Sequence, residues 1–310
     1  MDTTKTIDSL LKLRKTPRFI QKYLLIGEIA RLHHISYYCG MDYASKNFYH
    51  FDGYTSRLHH SLNVCNNAYY LTHDKVDALA GLLHDYSTPC FSHVIDYMNK
   101  DYITQESTEA KTKEMILNNQ QLMHYLIDDN INIDELFKRL DNSIVNNDRP
   151  RLCLDRIDGI IIPSLTWLQT INVKEAKQLY KDIIVYQNED NIPEVSFKSE
   201  LSIKRIIELN DILNQETHSD YDIYLMDTLG KLVKEMIESK IITYDELYTL
   251  TESELVRTME LYGVKHPDFY ALWYEFKNAS SVPHRDIKVK ERAINPILKL
   301  DFNQIIRYNN

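Results

Sequence analysis

Apolar residues recur three and four positions apart through most of this 310-residue chain, the spacing that gathers them on one face of a helix. The pattern predicts helices over 18–40, 56–72, 75–85 and 89–99, and further ones near 106–127, 133–140, 150–170, 174–185, 200–214, 221–239 and 264–277. Thr88-Pro89 reads as a boundary between two of them. The residue before a proline is driven out of the α region, while Thr as N-cap and Pro as first helical residue start a new helix. His84 and Asp85 then fall in a last helical turn, and His93 near the start of the next helix. Near the C-terminus "HRDIKVKERAI" alternates polar and apolar residues, which predicts a strand paired with a short one around 297–301. The expected fold is all-α with a small β-hairpin near the C-terminus. "NEDNIPEVSF" (188–197) is the clearest interruption of the pattern, so the chain is expected to divide into 1–187 and a helical lobe, 188–310, packed on it.

Composition supports the helical reading, since only 7 Gly and 8 Pro are present to punctuate the chain. A formal charge of −9, with 36 basic against 45 acidic residues and no block of Lys and Arg, makes nucleic acid a poor candidate partner. No run approaches the roughly 18 apolar residues that a spanning helix needs, and the first residues lack the apolar core of a signal peptide. The expectation is a cytoplasmic protein without a membrane partner. Cys39, Cys65, Cys90 and Cys153 show no CxxC pairing, so reduced thiols are expected. The 22 tyrosines are read as packing residues, with no basic groove beside them to suggest a stacking platform for nucleic acid.

Polar residues embedded in the apolar helices change the picture. They are Arg57 with His60, His84 with Asp85, His93 with Asp96, and Asp155 with Arg156 and Asp158. Arg57 and His60 share a helix face, as do His93 and Asp96, being three apart. Two imidazoles and two carboxylates converging on one point suit a divalent transition metal, because mixed nitrogen and oxygen ligation favours such ions over Mg or Ca. Taken singly, each has a plainer reading: His60 or His93 as a hydrogen-bonded core histidine, Asp155 as a helix cap. The remaining histidines are read as surface or packing residues, with His59 a marginal candidate for substrate contact.

In order along the chain, "TPRF" (16–19), "RLHHI" (31–35), "SRLHHSLNV" (56–64), "LLHDYSTPCFSHVIDYM" (82–98) and "LDRID" (154–158) resemble the segments of the HD-domain metal-dependent phosphohydrolases. Within that superfamily they are most similar to the deoxynucleoside-triphosphate triphosphohydrolase branch that includes the SAM-and-HD-domain enzymes. The resemblance covers residues 16–160 and implies that 1–187 is an HD-type catalytic domain. It makes His60, His84, Asp85 and Asp155 the ligands of one divalent metal (Mn, Fe, Co, Zn or Ni), which would activate water for attack on phosphorus. Arg57 becomes a phosphate clamp, and Arg156 and Gln105 further phosphate contacts. His93 becomes a proton donor or phosphate ligand oriented by Asp96, with the helix over 89–99 aiming its positive end at the anion. The substrate implied is a nucleotide, a dNTP included, or a related phosphoester, and a homo-oligomer is implied by analogy with the branch.

The chain departs from the family at three positions. Gln105 stands where a catalytic histidine is expected, Thr88 replaces another histidine, and Gly159 occupies the position of a sugar-stacking aromatic. Glu106 is the candidate replacement general base. The departures keep a second reading open, a regulatory protein that binds metal and nucleotide with little or no turnover. An HD-type di-iron oxygenase would need two more histidines between the HD pair and the last Asp; His93 and His124 are the only ones there, and His93 follows the pair too soon for the usual bridging arrangement.

Overall fold

A computed structural model describes residues 4–105, 107, 109–301 and 304–308. The protein is mainly helical, with two small antiparallel hairpins. The N-terminal third contains α1 (Thr4–Leu11), α2 (Ile20–Tyr23), α3 (Gly27–Arg31), α4 (Arg57–Thr72), α5 (Lys75–Leu83) and α6 (Val94–Met98). The middle contains α7 (Thr112–Asn118), α8 (Gln120–Asp128), α9 (Ile133–Asp141), α10 (Leu154–Thr166) and α11 (Val173–Asp182), then the hairpin β1 (Ile183–Gln187) and β2 (Pro193–Phe197). Long helices α12 (Glu200–Thr217) and α13 (Asp220–Glu238) follow, then α14 (Glu252–Gly263) and α15 (Pro267–Asn278), and the hairpin β3 (Ile297–Asp301) and β4 (Gln304–Arg307). Among the described residues no helix is long and apolar enough to cross a membrane.

Two apolar cores form. The first gathers α1, α4, α5, α10 and α12, with Leu79, Ile161, Phe197 and Ile206 at its centre. The second packs residues 35–49 and α6 against α13, α14 and α15, around Phe91, Leu229 and Trp273. The break expected at 188–197 falls inside the β1–β2 hairpin, where Ile183 pairs with Phe197 and Gln187 with Pro193. Phe197 is fully buried in the first core, so that core continues through the hairpin into α12. Arg307 then clamps the C-terminal hairpin to this one, bonding both carboxylate oxygens of Glu194 at 2.9 Å and those of Glu189 at 2.7 Å.

Several expected elements differ in form. The continuous helix expected over 18–40 breaks into α2, α3 and short turns: Ile26 and Ile35 take extended backbone, and Cys39 and Gly40 take positive φ at its end. The expected start at Thr88-Pro89 is also wrong. Phe91 and Ser92 both adopt left-handed φ, of 62° and 46°, so α6 begins only at Val94 with His93 as its N-cap. The strand expected at 284–294 is absent, the segment carrying no regular secondary structure, and Ile297–Asp301 pairs instead with Gln304–Arg307. Helices α1 and α14 went unread.

Candidate metal centre

The centre forms where three helix ends meet. Ser56 caps α4 by accepting from the His59 N–H, and His59 Nδ1 accepts from the Ser56 N–H in return, a capping box that fixes the first turn carrying Arg57 and His60. His59, a marginal substrate contact by sequence, is thus part of the helix start. After a left-handed turn at His73, Asp74 caps α5, which runs back along α4. Gly81 allows the close approach: a Cβ there would stand 2.8 Å from the Cys65 backbone nitrogen. Because α5 is antiparallel to α4, its C-cap residue, His84, returns to the level of His60. Asp155 arrives in the first turn of α10.

His60 Nε2 lies 3.0 Å from His84 Nε2 and 3.0 Å from Asp155 Oδ1, and His84 Nε2 is 3.6 Å from the same oxygen. The tautomers follow from the partners on the other side. His60 Nδ1 is 2.6 Å from Asp158 Oδ2, which only accepts, and His84 Nδ1 is 2.9 Å from the Gly81 carbonyl. Both Nδ1 atoms therefore carry hydrogen, and both Nε2 lone pairs point at each other. Two lone pairs at 3.0 Å repel unless a cation or proton lies between them. Ligands about 2.1 Å from a six-coordinate ion lie roughly 3.0 Å apart when adjacent and 4.2 Å when opposite, so the spacings fit a shared ion. Asp85 stands at the edge of the group, Oδ2 3.9 Å from His60 Nε2 and 3.8 Å from His84 Nε2, while pairing with Arg57 at 3.2 Å.

Electrostatics agree with a cation at this point. Burial disfavours the His60 imidazolium, but Asp155 and Asp158 outweigh it and raise the group to about 10. Burial favours a neutral Asp155, yet His60 and His84 hold its carboxyl well below the usual range. Asp85 behaves likewise: Arg57 overcomes the effect of burial and keeps it down at about 2. The carboxylates are charged and the cage favours positive charge within it. Asp158 is fixed in turn by donors from Asn63 and Tyr180, an outer shell of the kind that orients metal-binding histidines.

Beside the cluster opens a cavity of about 220 Å³, lined by residues of both cores. Arg57 enters it with its guanidinium bonded to Asp85 and Ser92 and lying over the Tyr37 ring. His93 also faces it, its Nδ1 3.0 Å from Asp96 Oδ2, and Asp96 is buried and further held by the Ser107 N–H. The expected pairing of His93 with Asp96 is present, though a helix end starting at Pro89 is not. Arg156 lines the cavity but commits its guanidinium to Asn147 and the Arg151 carbonyl, organising the loop 147–151. Gln105 is buried and accepts from Arg292 at 3.0 Å. Glu106 lies outside the described residues. His124, the other histidine between the HD pair and Asp155, is exposed beside Asp128, and the described residues hold a single potential metal group, His60, His84 and Asp155.

Sequence reading missed several lining residues. Tyr37 packs against His60 with its ring tilted by 53° and the centroids 5.2 Å apart, and its hydroxyl lies beside Gly159, where an added Cβ would stand 3.5 Å from it. Trp167 and Asp222 line the far side, and Arg149 and Arg292 enter from loops read as surface or strand. Asp158, named by sequence only as a polar residue one helical turn from Asp155, takes its role from the contact with His60 Nδ1. No protein-family model matches the chain, and no curated protein matches it.

Proposed function

We propose that this chain is an HD-type phosphohydrolase that uses one divalent transition metal to hydrolyse a nucleotide or related phosphate ester. The observation that carries this reading is the pair of opposed His60 and His84 Nε2 atoms, 3.0 Å apart with Asp155 beside them, at the edge of a cavity into which Arg57 and His93 project. The ordered motifs over 16–160 support the same reading. His60, His84 and Asp155 would hold the ion, with Asp85 shared between it and Arg57. When bound, such an ion polarises a phosphoryl oxygen and lowers the pKa of water toward neutrality.

The chain's own residues supply the rest. Arg57 is buried, charged and prevented from swinging by Asp85, Ser92 and Tyr37, which suits a fork that orients a phosphoryl group. His93 donates its Nδ1 hydrogen to Asp96 and turns Nε2 to the cavity. Burial, reinforced by Arg57 and Arg292, lowers the His93 pKa despite Asp96, so the free site holds it neutral. An anion entering beside it favours the imidazolium, which can then give a proton to the leaving oxygen. Tyr37, Tyr38 and Trp167 offer flat apolar surface for a base or sugar.

A second reading, binding without turnover, is favoured by Gln105, whose amide cannot carry a proton. The experiment that separates them is incubation of metal-loaded protein with a nucleotide and phosphoester panel, resolving triphosphate, pyrophosphate and phosphate as products. Hydrolysis lost in His84→Ala is expected. A metal-loaded protein that binds nucleotides and leaves the whole panel intact overturns catalysis in favour of the second reading.

A further inference from the structure

Residues 281–296 carry no helix or strand, yet they are tied down along the edge of the cavity. The Lys290 N–H donates to the Tyr102 carbonyl at 2.9 Å and its ammonium to the Thr104 carbonyl at 2.7 Å. The Arg292 carbonyl accepts from Asn210 and Asn214 on α12, and its N–H donates to Asn214. Arg149 donates to the Ala293 carbonyl, and the Asn295 N–H to the Pro150 carbonyl. This strap therefore spans the 101–105 loop, α12 and the 147–151 loop, and in passing it delivers Arg292 into the cavity wall.

The bonding of these cations is unusual for a protein of net charge −9. Arg292 donates to the Gln105 amide oxygen and the Lys290 carbonyl, and Arg149 to the Ala293 carbonyl. Among the described residues neither pairs with a carboxylate. Both line one cavity with Arg57 and Arg156. Arg57 is neutralised by Asp85, and Asp155 and Asp222 also line the space, but among the described residues no carboxylate comes within ion-pair distance of Arg149 or Arg292, which leaves these two guanidiniums for an anion that enters. Arg149 reflects the crowding: burial, then Arg156 and Arg292, lower it to about 10. Gln105 is suited to its place, since an amide oxygen holds a guanidinium without cancelling its charge, whereas a carboxylate at the same distance would cancel it.

We propose that Arg292, positioned by Gln105, forms with Arg149 a second anion subsite in this cavity, taking phosphoryl groups of the ligand that lie beyond the one beside Asp155 and Arg57. Gln105 is then a positioning residue, and its replacement of a histidine trades a proton carrier for a holder of charge. This rests on the phosphate reading of the cavity, and the test is arranged so that either can fail alone.

Binding of inorganic tripolyphosphate and of orthophosphate is measured calorimetrically in metal-free buffer for the full chain and for Arg292→Gln, Arg149→Gln and the isosteric Gln105→Glu, with thermal denaturation reporting folding and a separate Mn titration reporting the metal centre. Wild-type protein is expected to prefer tripolyphosphate. Arg292→Gln and Gln105→Glu are each expected to lose about tenfold or more of that affinity, the range for a charge-assisted bond, with a shallower salt dependence and unchanged Mn affinity. Should either fail to fold, Arg292→Lys, which keeps charge but not the fork, replaces it and is expected to lose affinity too. Wild-type indifference between the two anions, or full tripolyphosphate affinity in the Arg292 and Gln105 variants, overturns the subsite. Arg292-dependent tripolyphosphate binding by a protein that takes up no metal leaves the subsite standing and overturns the hydrolase reading. Metal-dependent hydrolysis with Arg292-independent binding does the reverse.

Discussion

Asp158 decides which nitrogen of His60 faces the cluster. It takes the Nδ1 hydrogen at 2.6 Å and leaves the Nε2 lone pair free for an ion, although it is not itself within the group that could ligate one. Asp158→Asn weakens that control, since an amide can present a hydrogen where the carboxylate could only accept. Metal affinity is expected to fall by about 10–100-fold, the usual cost of losing such a partner, with all three ligands intact. Competition with a metallochromic chelator measures it. Glu252 concerns stability instead. Burial and Asp42 raise its carboxyl from 4.5 to about 8, while the Phe91 N–H donates to it at 3.2 Å. The folded state holds this proton more tightly than the unfolded chain, so the stabilisation is complete below 4.5 and is lost as pH rises toward 8. Glu252→Gln keeps the acceptor and removes the titration. Its melting midpoint at pH 9 is expected to exceed that of wild type by several degrees, with the gap closing at pH 5.

At the scale of elements, the site depends on how closely α4 and α5 approach. Gly81→Ala places a methyl against the Cys65 and Val64 backbone, which cannot rotate away as a side chain could. The helices must separate, and His84 moves from His60. A loss of about 1–3 kcal/mol in denaturant-induced unfolding is expected, together with weakened metal binding. An unchanged metal affinity in the folded variant would mean that the crossing does not set the ligand geometry. This crossing was legible only in part. The helices 56–72 and 75–85 and the embedded His60 and His84 stood out, because a polar residue in an apolar stripe is conspicuous at any register. The left-handed residues Phe91 and Ser92 were not legible: neither is a type that prefers positive φ, and Thr88-Pro89 offers a stronger local signal for a helix start that tertiary packing overrides. Arg292 was hidden for a related reason, since alternation in 284–294 reads as a strand when the partners are loops distant in sequence.

The whole molecule joins two cores across one cavity. His60, His84 and Asp155 belong to helices of the first core, whereas Tyr97, Met226 and Val289 bring the second core to the cavity wall. A metal ion alone should therefore stabilise the first core, by about 2.7 kcal/mol at 100 times its dissociation constant. Hydrogen exchange is expected to slow at 57–84 and 154–166 on adding Mn, and additionally near 97–105 and 287–293 when tripolyphosphate is added to metal-free protein. Uniform protection by either ligand would show that the cores respond as one unit and that the cavity does not join separable parts. The linkage of sequence halves through the 183–197 hairpin could not be read from a break in periodicity, because a short buried hairpin and an exposed linker share the same Asn- and Pro-bearing turn.

The central claim is that one ion sits between His60 and His84. Anomalous diffraction from crystals grown with Mn or Zn tests it directly. A single peak within about 2.0–2.3 Å of His60 Nε2, His84 Nε2 and an Asp155 oxygen is expected, absent in His84→Ala crystals. Strong anomalous density elsewhere, with the two Nε2 atoms still 3.0 Å apart and nothing between them, would contradict it.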